Sequence, residues 1–148
     1  EIFDKNISSF SIFLESANSI DGNVKLSERV NMPSSKLRGF ESGRLGPKDG
    51  EDFIGGNYAY AFNFNSTIPQ LFEESQNLDI LYFIDVANVW GVDYDSSLQN
   101  FDKIRSSTGI GLDWFTPIGP LNFSVAYPIT KQDTDKTEKF RFNLGTTF

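Results

Sequence analysis

Apolar and polar residues alternate one for one in six separate stretches of this chain. A period of two is the signature of a β-strand whose two faces meet different surroundings. The first stretch sets Phe10, Ile12 and Leu14 against Ser9, Ser11 and Glu15. The second sets Tyr58, Tyr60, Phe62 and Phe64 against Ala59, Ala61, Asn63 and Asn65. The third sets Leu78, Ile80, Tyr82, Ile84 and Val86 against Asp79, Leu81, Phe83, Asp85 and Ala87. The fourth carries Ile104, Ile110, Leu112 and Trp114 on one face, with Arg105, Ser107, Gly109, Gly111 and Asp113 on the other. The fifth carries Leu121, Phe123, Val125, Tyr127 and Ile129 against Asn122, Ser124, Ala126 and Pro128. The last carries Phe140, Phe142, Leu144 and Phe148 against Arg141, Asn143, Gly145 and Thr147. No helical periodicity competes with these runs, so the expected fold is all-β and antiparallel.

Two architectures accept such strands, a soluble sandwich and a transmembrane barrel. The polar face separates them. A soluble sandwich normally carries Lys and Glu on its outer face. Here Lys5, Lys25, Lys36, Lys48, Lys103, Lys131, Lys136 and Lys139 all lie outside the middle of a run. The polar positions are small, with isolated charges at Glu15, Asp79, Asp85, Arg105, Asp113 and Arg141, which suits a crowded, hydrated lumen. The apolar face accounts for much of the 15 Phe, 5 Tyr and 2 Trp. Tyr58, Trp90, Trp114 and Phe148 stand at run ends, where interfacial aromatic girdles occur. Long connections (residues 17–56, and the acidic 89–103) alternate with shorter ones (69–77, and the turn at 116–120), as in outer-membrane barrels. Six strands leave two open edges, which hydrocarbon does not tolerate. The only Met is Met32, and no secretory signal is visible. The chain is therefore expected to be a piece of a longer barrel protein, and the soluble sandwich is the alternative.

Composition narrows the chemistry. With 13 Lys+Arg against 20 Asp+Glu and a net charge of −7, a nucleic-acid partner is not expected. The chain has no His and no Cys, which removes the usual zinc, haem and iron–sulfur ligand sets and the triads built on them. No cofactor, metal or enzymatic activity is expected. The acid pairs Glu73-Glu74, Asp93/Asp95 and Asp133/Asp135 fall in connections and read as solvated loop acids; Asp133-Thr134-Asp135 lacks the rest of a calcium loop.

The order of short motifs is more specific. Leu37-Arg38-Gly39-Phe40 late in the first long loop is followed by Gly46-Pro47 and by Gly55-Gly56-Asn57 at a strand start. Then come Phe83-Ile84-Asp85-Val86-Ala87-Asn88-Val89-Trp90, Thr116-Pro117-Ile118-Gly119-Pro120, and a terminus Phe140-Arg141-Phe142-Asn143-Leu144-Gly145-Thr146-Thr147-Phe148. This succession resembles the C-terminal part of the BamA family of outer-membrane assembly factors, over nearly the whole chain and least over residues 1–30. The resemblance implies the C-terminal six strands of a barrel of about 16, with residues 1–148 one part of that domain and residues 17–56 its long motif loop. Upstream strands and periplasmic repeats would lie outside this chain. It further implies that Arg38, Gly39 and Phe40 fold back into the lumen, with Asp85 as the acidic partner of Arg38. A second acid frequent in the family is Asn65 here, which leaves Asp85 as the single charged partner. Phe140, Phe142, Leu144, Gly145 and Phe148 resemble the terminal β-signal of outer-membrane barrels. The expected function is folding and insertion of barrel proteins into the bacterial outer membrane. The expected partners are outer-membrane lipid, unfolded barrel substrates and assembly-machine lipoproteins. A translocation pore of the same superfamily is the alternative.

Overall fold

A computed structural model of the chain describes residues 6–68, 77–99 and 101–145. All six alternating runs form strands of one antiparallel sheet. They are β1 (Ser8–Ser16), β4 (Tyr58–Ile68), β5 (Leu78–Trp90), β6 (Arg105–Thr116), β7 (Gly119–Thr130) and β8 (Phe140–Leu144). Two short strands, β2 (Lys48–Asp49) and β3 (Asp52–Phe53), pair as a small hairpin inside the first long loop. The large sheet runs β1-β4-β5-β6-β7-β8, each strand beside its neighbour in sequence. Consecutive antiparallel pairing of this kind needs only local connections. The sheet is open, with edges at β1 and β8 among the described residues.

Run lengths differ modestly from the sequence reading. Ile104 lies just outside β6, β4 continues to Ile68 and β5 to Trp90. One irregularity interrupts the ladder: Ser106 pairs with Thr130 but Ser107 with Pro128, so Ile129 has no opposite residue. Such a bulge re-aims the strand locally and increases its twist. Phe148, and most of the connection expected at 69–77, lie outside the described residues.

The register puts every long connection at one end of the sheet, where Ser16 faces Tyr58 and Tyr58 faces Trp90. The tight turn from Thr116 to Gly119 is at the other. The face bearing Phe10, Ile12, Tyr82, Ile110, Val125, Tyr127, Phe140 and Phe142 stays exposed, with Phe10 at 63% and Val125 at 59%. A sandwich would bury those side chains under a second sheet. Among the described residues the only other sheet is the two-stranded β2–β3 hairpin, so the soluble sandwich is set aside. At the long-loop end Tyr58 stacks on Trp90, and Tyr60 and Phe101 meet the same indole edge-on, the aromatic clustering expected at a membrane boundary.

The opposite face is buried, but only part of it is wet. Ala59, Ala61, Ala87 and Val89 form a hydrophobic core with Val30, Met32, Leu37, Phe40 and Leu45 of the first long loop. The small strand residues that suggest a hydrated wall leave room for the loop's larger side chains. The principal hydrophobic cluster therefore lies between the loop and the sheet.

Candidate functional site

The loop is driven onto the sheet by its apolar residues, two of which flank Arg38. Leu37 and Phe40 are each 1% exposed. Their burial carries Arg38, between them in sequence, into the same dry region. A guanidinium there must find fixed acceptors, because an unpaired buried charge costs several kcal/mol.

Asp85 supplies them from the middle of β5. Arg38 donates from Nε to Asp85 Oδ2 at 2.7 Å and from Nη2 to Asp85 Oδ1 at 2.6 Å, a two-pronged pair. The backbone N–H of Arg38 also donates to Asp85 Oδ2 at 3.0 Å. Asn63, opposite Asp85 on β4, donates to Asp85 Oδ1 at 2.9 Å and to the Lys36 carbonyl at 2.8 Å. The fully buried carboxylate thus accepts four hydrogen bonds, and planar bidentate pairing is the strongest form of this contact. Arg38 does not rest on Asp85 alone. Its Nη2 also donates to Asn65 Oδ1 at 2.7 Å, so the neutral Asn takes a bond without adding charge.

Two glycines make the geometry sterically possible. Gly39 has φ of +91°, and a Cβ there would stand 3.0 Å from the Ala126 Cβ on β7. Both the backbone turn and the close approach make any side chain here strained. Gly109 on β6 has no room for a Cβ beside the Val125 carbonyl (2.1 Å) and the Phe83 ring (2.6 Å). Its bareness lets Phe83 lie flat under the loop, and the Arg38 guanidinium sits 3.6 Å above that ring's centroid. A desolvated guanidinium over a ring face gains further electrostatic attraction.

The far side of the tip is held by the last connection. Glu41 donates its N–H to the Lys136 carbonyl, Lys136 to that of Arg44, and Glu138 to that of Gly39. Arg141 of β8 donates to the carbonyls of Ser34 and Phe40. The tip therefore touches five strands or their connections. Phe140, Phe142 and Leu144 lie together on the exposed apolar face, Gly145 has φ of +86°, and Phe148 lies outside the described residues.

Two further ion pairs escape a reading of sequence alone. Arg105, fully buried at the start of β6, donates from Nε and Nη2 to both oxygens of Asp135 at 2.9 and 3.0 Å, and from Nη1 to Asn88 at 2.7 Å. Arg29 donates from Nη2 to Asp93 Oδ1 at 2.6 Å and from Nη1 to Asn57 Oδ1 at 2.9 Å. Asp93 and Asp135 are thus not merely solvated loop acids. Each fastens a connection, because a buried arginine in another element requires it. Asp133 stays exposed, Asp95 caps the short turn Ser96–Leu98, and Glu73-Glu74 lie outside the described residues. The signal available in the sequence was Arg105 itself, an arginine in an inward strand position that had to have a partner.

The Asp93 carboxyl is held down at about 2, below the ordinary 3.8, first by the Val24 backbone N–H; burial, the next largest effect, opposes this, and Arg29 and Asn57 add to the lowering. A depressed folded-state value stabilises the latch above the ordinary carboxylate range and gives that stability up as pH falls through it. Pepsin cleavage within residues 22–30 and 91–99 is therefore expected to rise steeply between about pH 4 and pH 2, and an Asp93→Asn variant should lack that rise.

A family model described as the Omp85 superfamily domain matches residues 6–148. The chain belongs to the Omp85 superfamily. This places it in an outer membrane, and makes the exposed apolar face the lipid side and the loop-covered face the lumen of an antiparallel barrel. Among Omp85 relatives, it is 31% identical over 140 residues to the outer membrane protein assembly factor BamA of Neisseria meningitidis serogroup B. That match covers 76% of this chain and 17% of the relative. It is 33% identical over 122 residues to the sorting assembly machinery 50 kDa subunit of Saccharomyces cerevisiae, covering 77% of this chain and 25% of the relative. Among solved structures, BamA from Haemophilus ducreyi lacking POTRA domains 1–3 superimposes with a TM-score of 0.84 at 30% identity. That superposition covers 93% of this chain and 31% of the other. The chain thus spans a quarter or less of the two curated relatives, and under a third of the crystallised chain.

Proposed function

We propose that this chain is the C-terminal part of an outer-membrane β-barrel assembly factor, which folds and inserts barrel proteins into the bacterial outer membrane. In this reading residues 1–148 are the last six strands of a larger closed barrel, and the upstream strands complete the lumen. The observation that carries it is the buried Arg38–Asp85 pair, which fastens a long loop inside the lumen at 2.6 Å. A translocation pore of the same superfamily would share this loop, so the preference for assembly over translocation rests on the relatives. The relatives named as assembly factors support the same reading.

Arg38, Gly39 and Phe40 brace the wall, with Asp85 as the anchor. Phe140, Phe142, Leu144, Gly145 and Phe148 form a terminal signal of the kind recognised by strand addition. The partners are outer-membrane lipid, unfolded barrel substrates and the lipoproteins of an assembly machine. The work is guided pairing of strands, and it asks for no bond chemistry and no cofactor.

Depletion of the full-length protein tests the reading. Folded barrel proteins, scored by heat-modifiable gel mobility, should fall while unfolded precursors accumulate. A full-length Arg38→Lys copy, which keeps the charge but loses the fork, should restore only part of assembly, short by a few-fold. Unchanged barrel levels on depletion would sink the proposal.

A further inference from the structure

Arg141 belongs to the terminal strand, yet its guanidinium is spent on the loop. Its strand neighbours Phe140 and Phe142 face lipid, and Arg141 faces the lumen with a side chain only 10% exposed. Nη1 donates to the Ser34 carbonyl at 2.7 Å and Nη2 to the Phe40 carbonyl at 2.8 Å. Ser34 and Phe40 lie on either side of Arg38 in sequence, so one guanidinium holds both shoulders of the tip. Nε and Nη2 also donate to Glu138 Oε2, and the Glu138 backbone N–H donates to the Gly39 carbonyl at 3.0 Å. Donors fixed in a planar fork can serve two carbonyls and a carboxylate at once, which a lysine ammonium cannot do with the same geometry.

The strand that carries this fork is short, and two backbone hydrogen bonds flank its ladder: Ala126 N–H donates to the Lys139 carbonyl and Gly145 N–H to the Pro120 carbonyl, both at 2.8 Å. β8 pairs with β7 over only five residues, from Leu121↔Leu144 to Val125↔Phe140. The lumen contacts of Arg141 tie this short strand to the loop as well as to β7.

We infer that Arg141 is a positioning residue that couples seating of the Arg38 loop to pairing of the terminal strand, so that the two are secured and released together. This deepens the assembly reading and rests on it for its purpose, since a factor that templates strands must control its own terminal strand. The coupling itself can be measured in this protein whatever its function.

Hydrogen exchange of the full-length protein in lipid vesicles tests it. Arg141→Gln should speed exchange about tenfold in both 34–44 and 140–144, as loss of charged hydrogen bonds would, and leave 80–88 unchanged. Arg38→Gln should speed exchange in 140–144 when Arg141 is present, and have no further effect there in the Arg141→Gln background. Arg141→Lys, which keeps the charge beside Glu138, should uncouple the segments like Arg141→Gln, and it carries the comparison if the glutamine variant fails to fold. The inference is overturned if Arg38→Gln leaves 140–144 unaffected beside Arg141, or affects it equally in both backgrounds, or if Arg141→Lys stays fully coupled. A coupled protein whose depletion leaves barrel assembly intact overturns the assembly reading alone. An uncoupled protein whose depletion stops assembly overturns the coupling alone.

Discussion

Arg38→Glu is expected to unseat the lumen loop. The substitution places a second carboxylate against Asp85, which is fully buried and receives Nε and Nη2 of Arg38 at 2.7 and 2.6 Å. Removing one partner of a buried pair costs about 3–5 kcal/mol, and like charge at the same spot adds to it. Phe83 loses the cation above its ring as well. In the full-length protein, protease cleavage within 33–47 should appear, and the urea midpoint of unfolding should drop. Adding Asp85→Arg restores opposite charges across the same two positions, so the double variant should recover part of both readouts. Asn63 and Asn65 remain as acceptors for the relocated guanidinium. A protease-resistant loop in Arg38→Glu would show that the pair does not hold it.

Gly39→Val should match that damage without changing any charge. The residue has φ of +91°, and its Cβ would lie 3.0 Å from that of Ala126. A β-branched residue in this backbone region costs about 1–3 kcal/mol. Crowding against β7 adds about 1–3 kcal/mol more, because the strand cannot retreat without breaking its ladder. Gly39→Ala should lose less, since it meets the same backbone cost with fewer atoms against β7. The measurement is again the unfolding midpoint together with cleavage within 33–47. A valine variant as stable as the parent would mean the loop turns another way.

The strands were legible because alternation is a local property. Tyr58 to Phe64 and Leu78 to Val86 announce themselves within a few residues, and their partners in the sheet are their sequence neighbours. The pairing of Arg38 with Asp85 was legible only through the motif order, since no spacing rule links residues 47 apart. Arg105 with Asp135 and Arg29 with Asp93 stayed hidden for the same reason, and each acid looks like any other loop acid in its own neighbourhood. The face composition misled in one place. Ala59, Ala61 and Ala87 read as small residues facing water, yet they floor a dry core, because the side chains that cover them come from a different part of the chain. Small size reports the space a partner will need and says nothing of whether that partner is water or a leucine.

That core also sets an order of events. Its members come from positions 30 to 45 on one side and 59 to 89 on the other, and Arg141 reaches back across 101 residues to Phe40. The hairpins β4–β5 and β6–β7 close short stretches of chain, while the loop's seat closes long ones and pays more conformational entropy before any contact returns it. On that ground the loop is expected to settle after those two hairpins. Until it does, the wall carries Asp85 bare to water, and the closing step is what removes that charge from solvent.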